Sequence, residues 1–384
     1  MRPKSLVSFA RGNNDFALAL FGQLRQRPGN LFFSPFSIRT ALGLAHAGAR
    51  GETGAEMSKA LCIASHDEMA NSAALAARLT ANGGKYEASV ANSLWSQQGA
   101  PILSEFLDVV RSYRSGINQI DFRDGDVARA RINKWVSDET RQRIRDLIPS
   151  GSLDGSTRLA LVNAVYFKGL WLMQFHEQAT REAPFYLADG DTVRTSLMHQ
   201  RQWLRYAKGS MFQAVELVYR GHDVSMVVFL PDRRGALPDL EAMLSPDLIR
   251  DCVGQMEVRE VELSLPRFSV RWGTENVIYH LAALGMRLAL APSQADFSGI
   301  NGHRPQPEAL FFSAVYHQAV VDVNEEGTEA TAATAAMVHL GADFLERLAV
   351  PIVRADHPFL VAIRERTSGA ILFLGRVTDP TAVS

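Results

Sequence analysis

Hydrophobic side chains in the first third of the chain recur at helical spacing. Phe16, Leu20 and Leu24 lie four residues apart, which predicts an amphipathic first helix capped by Asn14 or Asp15. Further helical patterns follow, the last of which is predicted to stop at the Pro-Ser-Gly turn of 149–151. Their apolar positions are Phe106, Leu107, Val110 and Tyr113, then Ile132, Trp135 and Val136, then Ile144, Leu147 and Ile148.

From residue 159 onward the pattern becomes that of strands. LALVNAVYFKGLW (159–171) is almost continuously apolar, which is typical of a central strand buried on both faces. ELVYRGHDVSMVVFLP (216–231) predicts a hairpin with its turn at 220–222, and VELSLPRFSV (261–270) alternates with the period of a half-buried strand. Helices followed by many strands predict an α+β fold, and the chain shows no repeat or linker, so we expect one domain over 1–384.

Composition and charge exclude several classes of protein. Hydrophobic residues make up 47% and charged residues 21%, with a formal net charge of −1 and no clustered basic face, which argues against nucleic-acid binding. No apolar run approaches the ~20 residues of a membrane span. The N-terminus lacks the apolar core of a signal peptide, so a cytoplasmic protein is expected if Met1 is the natural start. Cys62 and Cys252 are predicted to be small buried hydrophobes rather than a disulfide.

Sequence motifs of catalysis are missing from the chain. The Gly-x-Ser-x-Gly elbow, His-Glu-x-x-His, Cys-x-x-Cys and the phosphate-binding Gly-x-x-x-x-Gly-Lys do not occur, and the ten histidines lack ligand spacing. Gly48, Gly51 and Gly54 have the wrong spacing for a nucleotide site and indicate a turn before a helix. We therefore expect no enzyme, no catalytic residue, no cofactor and no metal site.

The segment EEGTEATAATAAMV (325–338) carries almost no large side chain. Read as a strand, its alternate residues point to opposite sides. One set is small and uncharged, so it could fit between two strands and cover a core, although Ala is a poor strand former. A flexible Ala/Thr-rich loop and an Ala-rich helix remain open alternatives. The small, uncharged set is Thr328, Ala330, Ala332, Thr334, Ala336 and Val338.

This segment and its flanks resemble the hinge of the serpins, a family of serine-protease inhibitors. Other blocks resemble serpin motifs, occur in family order and extend over nearly the whole chain. They are NLFFSPFSI (30–38), GARGETGAEMSKAL (48–61), ANSLW (91–95), INKWVSDETRQRIRDLIP (132–149), LVNAVYFKGLW (161–171), VELSLPRFSV (261–270), ADFSGI (295–300), SAVYHQAVVDVNEEGTEA (313–330) and DHPFLVAIRERTSGAILFLGRVTDP (356–380).

The resemblance implies an α+β serpin fold with three β-sheets, about eight or nine helices and an exposed reactive-centre loop at about 325–355. It also implies a suicide-substrate inhibitor that traps a protease as an acyl-enzyme by inserting its cleaved loop into the central sheet. The expected partner is a serine protease, or a cysteine protease trapped in the same way, and the inhibitor is expected to be a monomer. Family members are often extracellular. A non-inhibitory serpin that acts as a binding, carrier or chaperone protein remains the alternative.

Individual positions follow from matching motifs. The hinge starts at Glu325, and the basic position after Leu-Pro is Arg267, so we hypothesise an ion pair between these two side chains at the top of the sheet. The hinge residues are Glu325, Glu326, Gly327, Thr328, Glu329 and Ala330; the polar cluster called the shutter is Ser34, Ser37, Asn163 and His317; and the residues at the breach, where the loop first inserts, are Trp171 and Arg267.

Two counts locate the reactive bond differently. Counting forward from the first hinge glutamate gives Gly341–Ala342, with Leu340 one step away, whereas counting back from the His-Pro-Phe motif gives Arg347–Leu348. The loop is therefore longer than usual for the family. The forward count is preferred because insertion depth depends on the distance from hinge to bond. It predicts an elastase-like, chymotrypsin-like or subtilisin-like target, and the alternative predicts a trypsin-like one.

The helix that binds heparin in some serpins is poor in basic residues here. The corresponding stretch, HDEMANSAALAARLTANGGK, contains only Arg78 and Lys85 as cations. We therefore expect no activation by heparin.

Overall fold

The structure, a computed structural model, describes residues 4–65, 67–80, 86–112, 116–273, 276–302, 309–326 and 350–382. Ten α-helices lie within these ranges, compared with the eight or nine that were expected. They are α1 Lys4–Leu24, α2 Pro35–His46, α3 Gly51–Ala60, α4 Asp67–Thr80, α5 Ser104–Ser112, α6 Gly125–Glu139, α7 Leu237–Met243, α8 Pro246–Gln255, α9 Ile278–Ala283 and α10 Ser298–Asn301.

Strands dominate the second half of the chain, as the pattern from residue 159 predicted, and the α+β class is confirmed. The strands are β1 Leu31–Phe33, β2 Tyr86–Gln97, β3 Gly116–Ile120, β4 Leu159–Gly169, β5 Arg181–Tyr186, β6 Thr192–Lys208, β7 Phe212–Val218, β8 Val224–Pro231, β9 Glu257–Pro266, β10 Phe268–Trp272, β11 Phe312–Val323, β12 Ile352–Arg354, β13 Phe359–Glu365 and β14 Ile371–Val377.

Hydrogen bonding groups the described strands into two sheets rather than three. The five-stranded sheet has the order β10-β11-β4-β2-β3, and the nine-stranded sheet has the order β1-β14-β13-β8-β7-β6-β9-β12, with β5 on β6. The larger sheet is continuous because β6, which is 17 residues long, pairs with three other strands. Its first part pairs with β5, its middle with β9, and its last residues with β7.

The first helix differs from its prediction at its start. Phe16 and Leu20 are fully buried as expected, but α1 begins at Lys4, so no residue near 14 caps it. Asn14 instead binds the turn before β14: its Nδ2 donates to the Gly369 carbonyl at 2.9 Å, and its Oδ1 accepts from the Ile371 amide at 2.8 Å. Asn14 is therefore a mid-helix residue. The local pattern suggests a cap because the partners of Asn14 lie far away in the sequence.

The helical pattern predicted to run to the turn at 149–151 also ends earlier than predicted. α6 stops at Glu139, and Arg141 and Gln142 adopt the left-handed region with φ of 50° and 63°. The apolar residues of 144–148 are fully buried, but they belong to an irregular segment. The spacing of these apolar residues therefore reflects their burial against the sheet, and it does not indicate a helix.

The predicted strands occupy the expected places. The run from 159 forms β4, a central strand of the five-stranded sheet whose residues are buried up to Phe167. β7 and β8 form the antiparallel hairpin, with Gly221 and His222 in the left-handed region at its turn. β9 is confirmed as a strand, although Ser264, expected on its polar side, is also buried.

The five-stranded sheet has a hydrophobic cluster on each face. One face of β4 and β11 packs against α6 and the buried residues of 144–148, and we call it the α6 face. Odd-numbered residues of the same strands point to the opposite side, toward α2 and the larger sheet.

Cys252 is buried and Cys62 is half-buried, and both thiols are free. Among the described helices, none is long and apolar enough to cross a membrane.

Candidate functional site

The site lies where β4 and β11 meet in the middle of the five-stranded sheet. These strands are parallel, and their pairing runs from Leu159 with Phe312 to Phe167 with Val321. The ladder between the two strands ends at that pair: β4 continues to Gly169 beside β2, and β11 continues beside β10. We call the region between the upper ends of β4 and β11, above their last pair, the fork. The described chain continues from β11 only to residue 326.

The four predicted shutter residues come together beneath β4 and β11. The Ser34 amide donates to His317 Nε2 at 3.1 Å, so the ring proton lies on Nδ1 and is donated to Asn163 Oδ1 at 2.6 Å. Asn163 Nδ2 in turn donates to Ser37 Oγ at 2.6 Å. Asn163 and His317 are direct partners across the β4–β11 ladder. The chain of hydrogen bonds therefore joins α2 to both strands.

Local sequence explains why α2 presents its end to this cluster. Ser34 is the N-cap of α2: its Oγ accepts from the Ser37 amide at 3.2 Å and donates to the Leu372 carbonyl at 2.8 Å. Pro35 follows at the first turn, where a missing amide proton leaves no partner unsatisfied. One serine thus starts the helix and connects it to β14.

The His317 ring is held in its neutral form. It is fully buried, and this desolvation lowers its pKa from 6.5 to about 3. Both ring nitrogens are already in use, so a second proton on Nε2 would face the Ser34 amide proton. Protonation therefore opposes the closed arrangement of the cluster.

The predicted breach residues, Trp171 and Arg267, lie above the fork. The Trp171 ring stacks on Tyr219 with centroids 4.5 Å apart, and its Nε1 donates to the Asn324 carbonyl at 2.9 Å. The hypothesised ion pair is formed: Arg267 Nε lies 2.7 and 2.6 Å from the two carboxylate oxygens of Glu325. Burial acts to raise the pKa of Glu325, but hydrogen bonds from Arg267 and Thr180 outweigh it, and the pKa is lowered.

The described part of the predicted hinge consists of its first two glutamates, Glu325 and Glu326. Glu326 forms an ion pair with Lys168 Nζ at 3.3 Å, which connects the end of β11 to β4. The other predicted hinge residues, Gly327, Thr328, Glu329 and Ala330, lie outside the described residues. So do both candidate reactive bonds, Gly341–Ala342 and Arg347–Leu348. The chain is described again from residue 350, and β12 then pairs with β9.

A second polar contact joins β4 to β11 on the α6 face. Tyr166 Oη donates to Asp322 Oδ2 at 2.9 Å, although the two residues are 156 positions apart. The sequence offered one signal, a tyrosine and an aspartate in otherwise apolar runs, but nothing in the pattern marked them as partners.

The arrangement is that of a serpin. The family model for "Serpin (serine protease inhibitor)" matches residues 11–380, and the chain belongs to this family. A leukocyte elastase inhibitor of Bos taurus is 39% identical over 387 residues, which cover 98% of this chain and 100% of the relative.

Solved structures give the same assignment of fold. An Arabidopsis serpin in its native stressed conformation is 29% identical, with a TM-score of 0.88 and complete coverage of both chains. Uncleaved ovalbumin is 28% identical, with a TM-score of 0.87 over 97% of this chain and 100% of ovalbumin.

Proposed function

We propose that this serpin is a suicide-substrate inhibitor of a serine protease. The observation that carries the proposal is the parallel pairing of β4 and β11, with the reactive loop leaving from the upper end of β11. A loop that turns back from that end runs antiparallel to both strands. If it enters between them, one parallel ladder is replaced by two antiparallel ladders, which are slightly more stable per residue.

The free energy available from insertion is large enough to act on a bound protease. About a dozen inserted residues gain neighbours on both sides, at roughly 0.2–1 kcal/mol per cross-strand pair. With burial of the inward side chains, the total is on the order of 10 kcal/mol, comparable with the stability of a whole domain. The uncleaved protein is then metastable, and a kinetic barrier keeps its sheet closed.

In the proposed mechanism the protease supplies all the catalytic groups. Its serine attacks the scissile carbonyl of the loop, the peptide bond breaks, and the new amino terminus leaves while the loop stays esterified to the enzyme. The freed loop inserts between β4 and β11 and carries the attached protease with it. Distortion of the protease's active site then stalls hydrolysis of the ester.

An elastase-like protease is the proposed target. The forward count places Gly341 before the scissile bond, with Leu340 beside it, and a small or apolar residue suits the small specificity pocket of an elastase. The similarity to a leukocyte elastase inhibitor supports the same class of target. Cleavage after Arg347 by a trypsin-like protease is the alternative, and it requires a longer inserted segment.

The decisive experiment mixes the protein with elastase, chymotrypsin, subtilisin and trypsin and analyses each mixture on a denaturing gel. A band that resists SDS and migrates near the summed mass is expected with elastase. Mass spectrometry of the released C-terminal peptide then distinguishes a cut after Gly341 from a cut after Arg347. Complete cleavage by every protease without such a band would contradict the trap for these targets and support a non-inhibitory serpin.

A further inference from the structure

Opening the sheet for an inserting strand requires that links between β4 and β11 break. Admitting one strand moves the two strands apart by about 4.8 Å. The shutter bond from His317 to Asn163 crosses this boundary on the α2 side of the sheet. The α6 face carries its own set of crossing contacts, which the shutter does not include.

The first crossing contact on the α6 face is the hydrogen bond from Tyr166 to Asp322. It crosses the last pair of the β4–β11 ladder, because Tyr166 lies one residue before Phe167 and Asp322 one residue after Val321. Tyr166 is 1% exposed and Asp322 is half-buried, so their 2.9 Å bond is partly shielded from water. Charge-assisted hydrogen bonds are the stronger ones, and low local polarity strengthens them further.

The second crossing contact runs through the segment that follows α6. The guanidinium of Arg143 stacks on the Tyr166 ring, 4.8 Å from its centroid, and its Nη2 lies 3.3 Å from the carboxylate of Glu87 on β2. Arg143 therefore belongs with the β2–β4 half of the sheet. Its backbone carbonyl accepts a hydrogen bond of 3.1 Å from Arg271 Nη2 on β10, which belongs with the other half.

A third contact is local and does not cross the boundary. Ser269 Oγ on β10 donates to the other oxygen of Asp322 at 2.6 Å. Ser269 and Asp322 are direct partners in the β10–β11 ladder, so they move together when the sheet opens. This bond provides a matched reference for the crossing bond, because both end on the same carboxylate and on the same face.

We propose that the hydrogen bonds from Tyr166 to Asp322 and from Arg271 to the Arg143 carbonyl form a lock on the α6 face that sets the rate of sheet opening. The lock holds β4 against β11 at the last pair of their ladder, below the ion pair of Lys168 with Glu326. Both bonds break when the halves separate, whereas the contacts of Arg143 with Glu87 and of Ser269 with Asp322 survive. The inference rests on the proposed function, because it concerns the step at which the loop inserts.

The test measures sheet opening directly, without a protease. A fluorescently labelled peptide with the sequence of residues 327–340 (GTEATAATAAMVHL) is incubated with the full-length protein, and its incorporation is followed over time on native gels. Tyr166→Phe removes only the hydroxyl and keeps the ring beneath Arg143. We expect it to accelerate peptide uptake about three- to tenfold, the equivalent of one ordinary net hydrogen bond.

Arg271→Met tests the second bond, and Ser269→Ala is the matched control. We expect Arg271→Met to accelerate uptake, the double variant to show the product of the two single effects, and Ser269→Ala to behave as the wild type within twofold. The unfolding midpoints of the wild type and the four variants are compared first, so that a general loss of stability is seen separately.

Three outcomes would overturn the lock. If the wild type takes up peptide and Tyr166→Phe does so at the same rate, the lock is wrong and loop insertion stands. If Ser269→Ala accelerates uptake as much as Tyr166→Phe, the effect is a general loosening of the face and the lock is again wrong. If the wild type takes up no peptide and gains no stability when its loop is cut, the proposed function fails and the lock fails with it.

Discussion

Arg267 Nε lies 2.7 and 2.6 Å from the two carboxylate oxygens of Glu325, and this ion pair ties the upper end of β11 to the strand beside it. Arg267 separates β9 from β10, so its position is fixed by both sheets. Glu325 is 3% exposed and also accepts from Thr180. The first residue of the predicted hinge is therefore held by a charge that an inserting loop would have to pass.

The charge reversal Arg267→Glu is expected to promote polymerisation on heating. It removes the partner of a buried carboxylate and places a like charge beside it, with Glu177 and Glu182 also near. The loss is about 1–3 kcal/mol, less than for a fully buried pair because the Arg267 side chain is 45% exposed. Size-exclusion chromatography after incubation at a series of temperatures measures the onset of polymers.

Arg201→Glu serves as the control for that experiment. Its ion pair with Glu260 is similarly short, at 2.8 Å, but joins β6 to β9 on an exposed surface away from the hinge. If polymers of the wild type and of Arg267→Glu first appear at the same temperature, the ion pair of Arg267 with Glu325 does not hold the breach closed.

The shutter histidine makes the fold sensitive to acid. The pKa of His317 is about 3 in the folded protein and 6.5 in the unfolded chain, so the unfolded state binds more protons between these values. Its contribution to stability is complete above about pH 6.5 and falls by about 1.4 kcal/mol for each pH unit below that. We expect the urea midpoint of the wild type to decrease from pH 7 to pH 5.

His317→Gln isolates this effect. The variant should be less stable than the wild type at pH 7, because its shutter is incomplete, but its midpoint should change less between pH 7 and pH 5. The pKa of His280 is lowered by burial, but that residue is present in both proteins, and carboxylates titrate mainly below this window. Parallel slopes in the two proteins would contradict a shutter kept neutral by burial.

The sequence pattern predicted those parts of the fold that depend on local periodicity. The apolar run of β4, the hairpin of β7 and β8, and the buried stripe of α1 follow directly from which residues avoid water. The family resemblance led further, since it assigned Arg267 and Glu325 to motif positions near the top of the sheet. The ion pair could be hypothesised because both positions match a motif.

Other features could not be derived from local pattern. The start of α1 was misplaced because Asn14 binds the turn before β14, at the far end of the chain. The end of α6 was misplaced because Arg141 and Gln142 leave helical geometry while the apolar spacing continues. In both places a distant strand decides the local structure, and a single sequence contains no record of that contact.

The reactive bond is expected at Gly341–Ala342, and two substitutions test it. Ala342→Pro should abolish the SDS-stable complex with elastase, because a proline after the scissile carbonyl prevents productive binding of the bond. Arg347→Ala should leave that complex intact and remove the fragment that trypsin produces by cutting after Arg347. Loss of the elastase complex in Arg347→Ala, with Ala342→Pro unaffected, would instead place the bond at Arg347–Leu348.

The alternation of the loop predicts which of its residues must be small. In an inserted strand Thr334 belongs to the set that faces inward, and its neighbour Ala333 belongs to the set that faces outward. A buried, unpaired guanidinium costs several kcal/mol, so Thr334→Arg should slow insertion until hydrolysis of the acyl-enzyme overtakes it. The variant is then cleaved as a substrate without forming the SDS-stable complex.

Ala333→Arg is the matched control, since it adds the same charge one position away on the side that faces water. It should keep the complex with elastase, and its melting temperature should rise after loop cleavage as in the wild type, whereas that of Thr334→Arg should rise much less. Equal behaviour of the two variants would show that the loop does not enter the sheet as an alternating strand. The reverse order would mean that the insertion register is shifted by one residue, because a slip of one position exchanges the two faces.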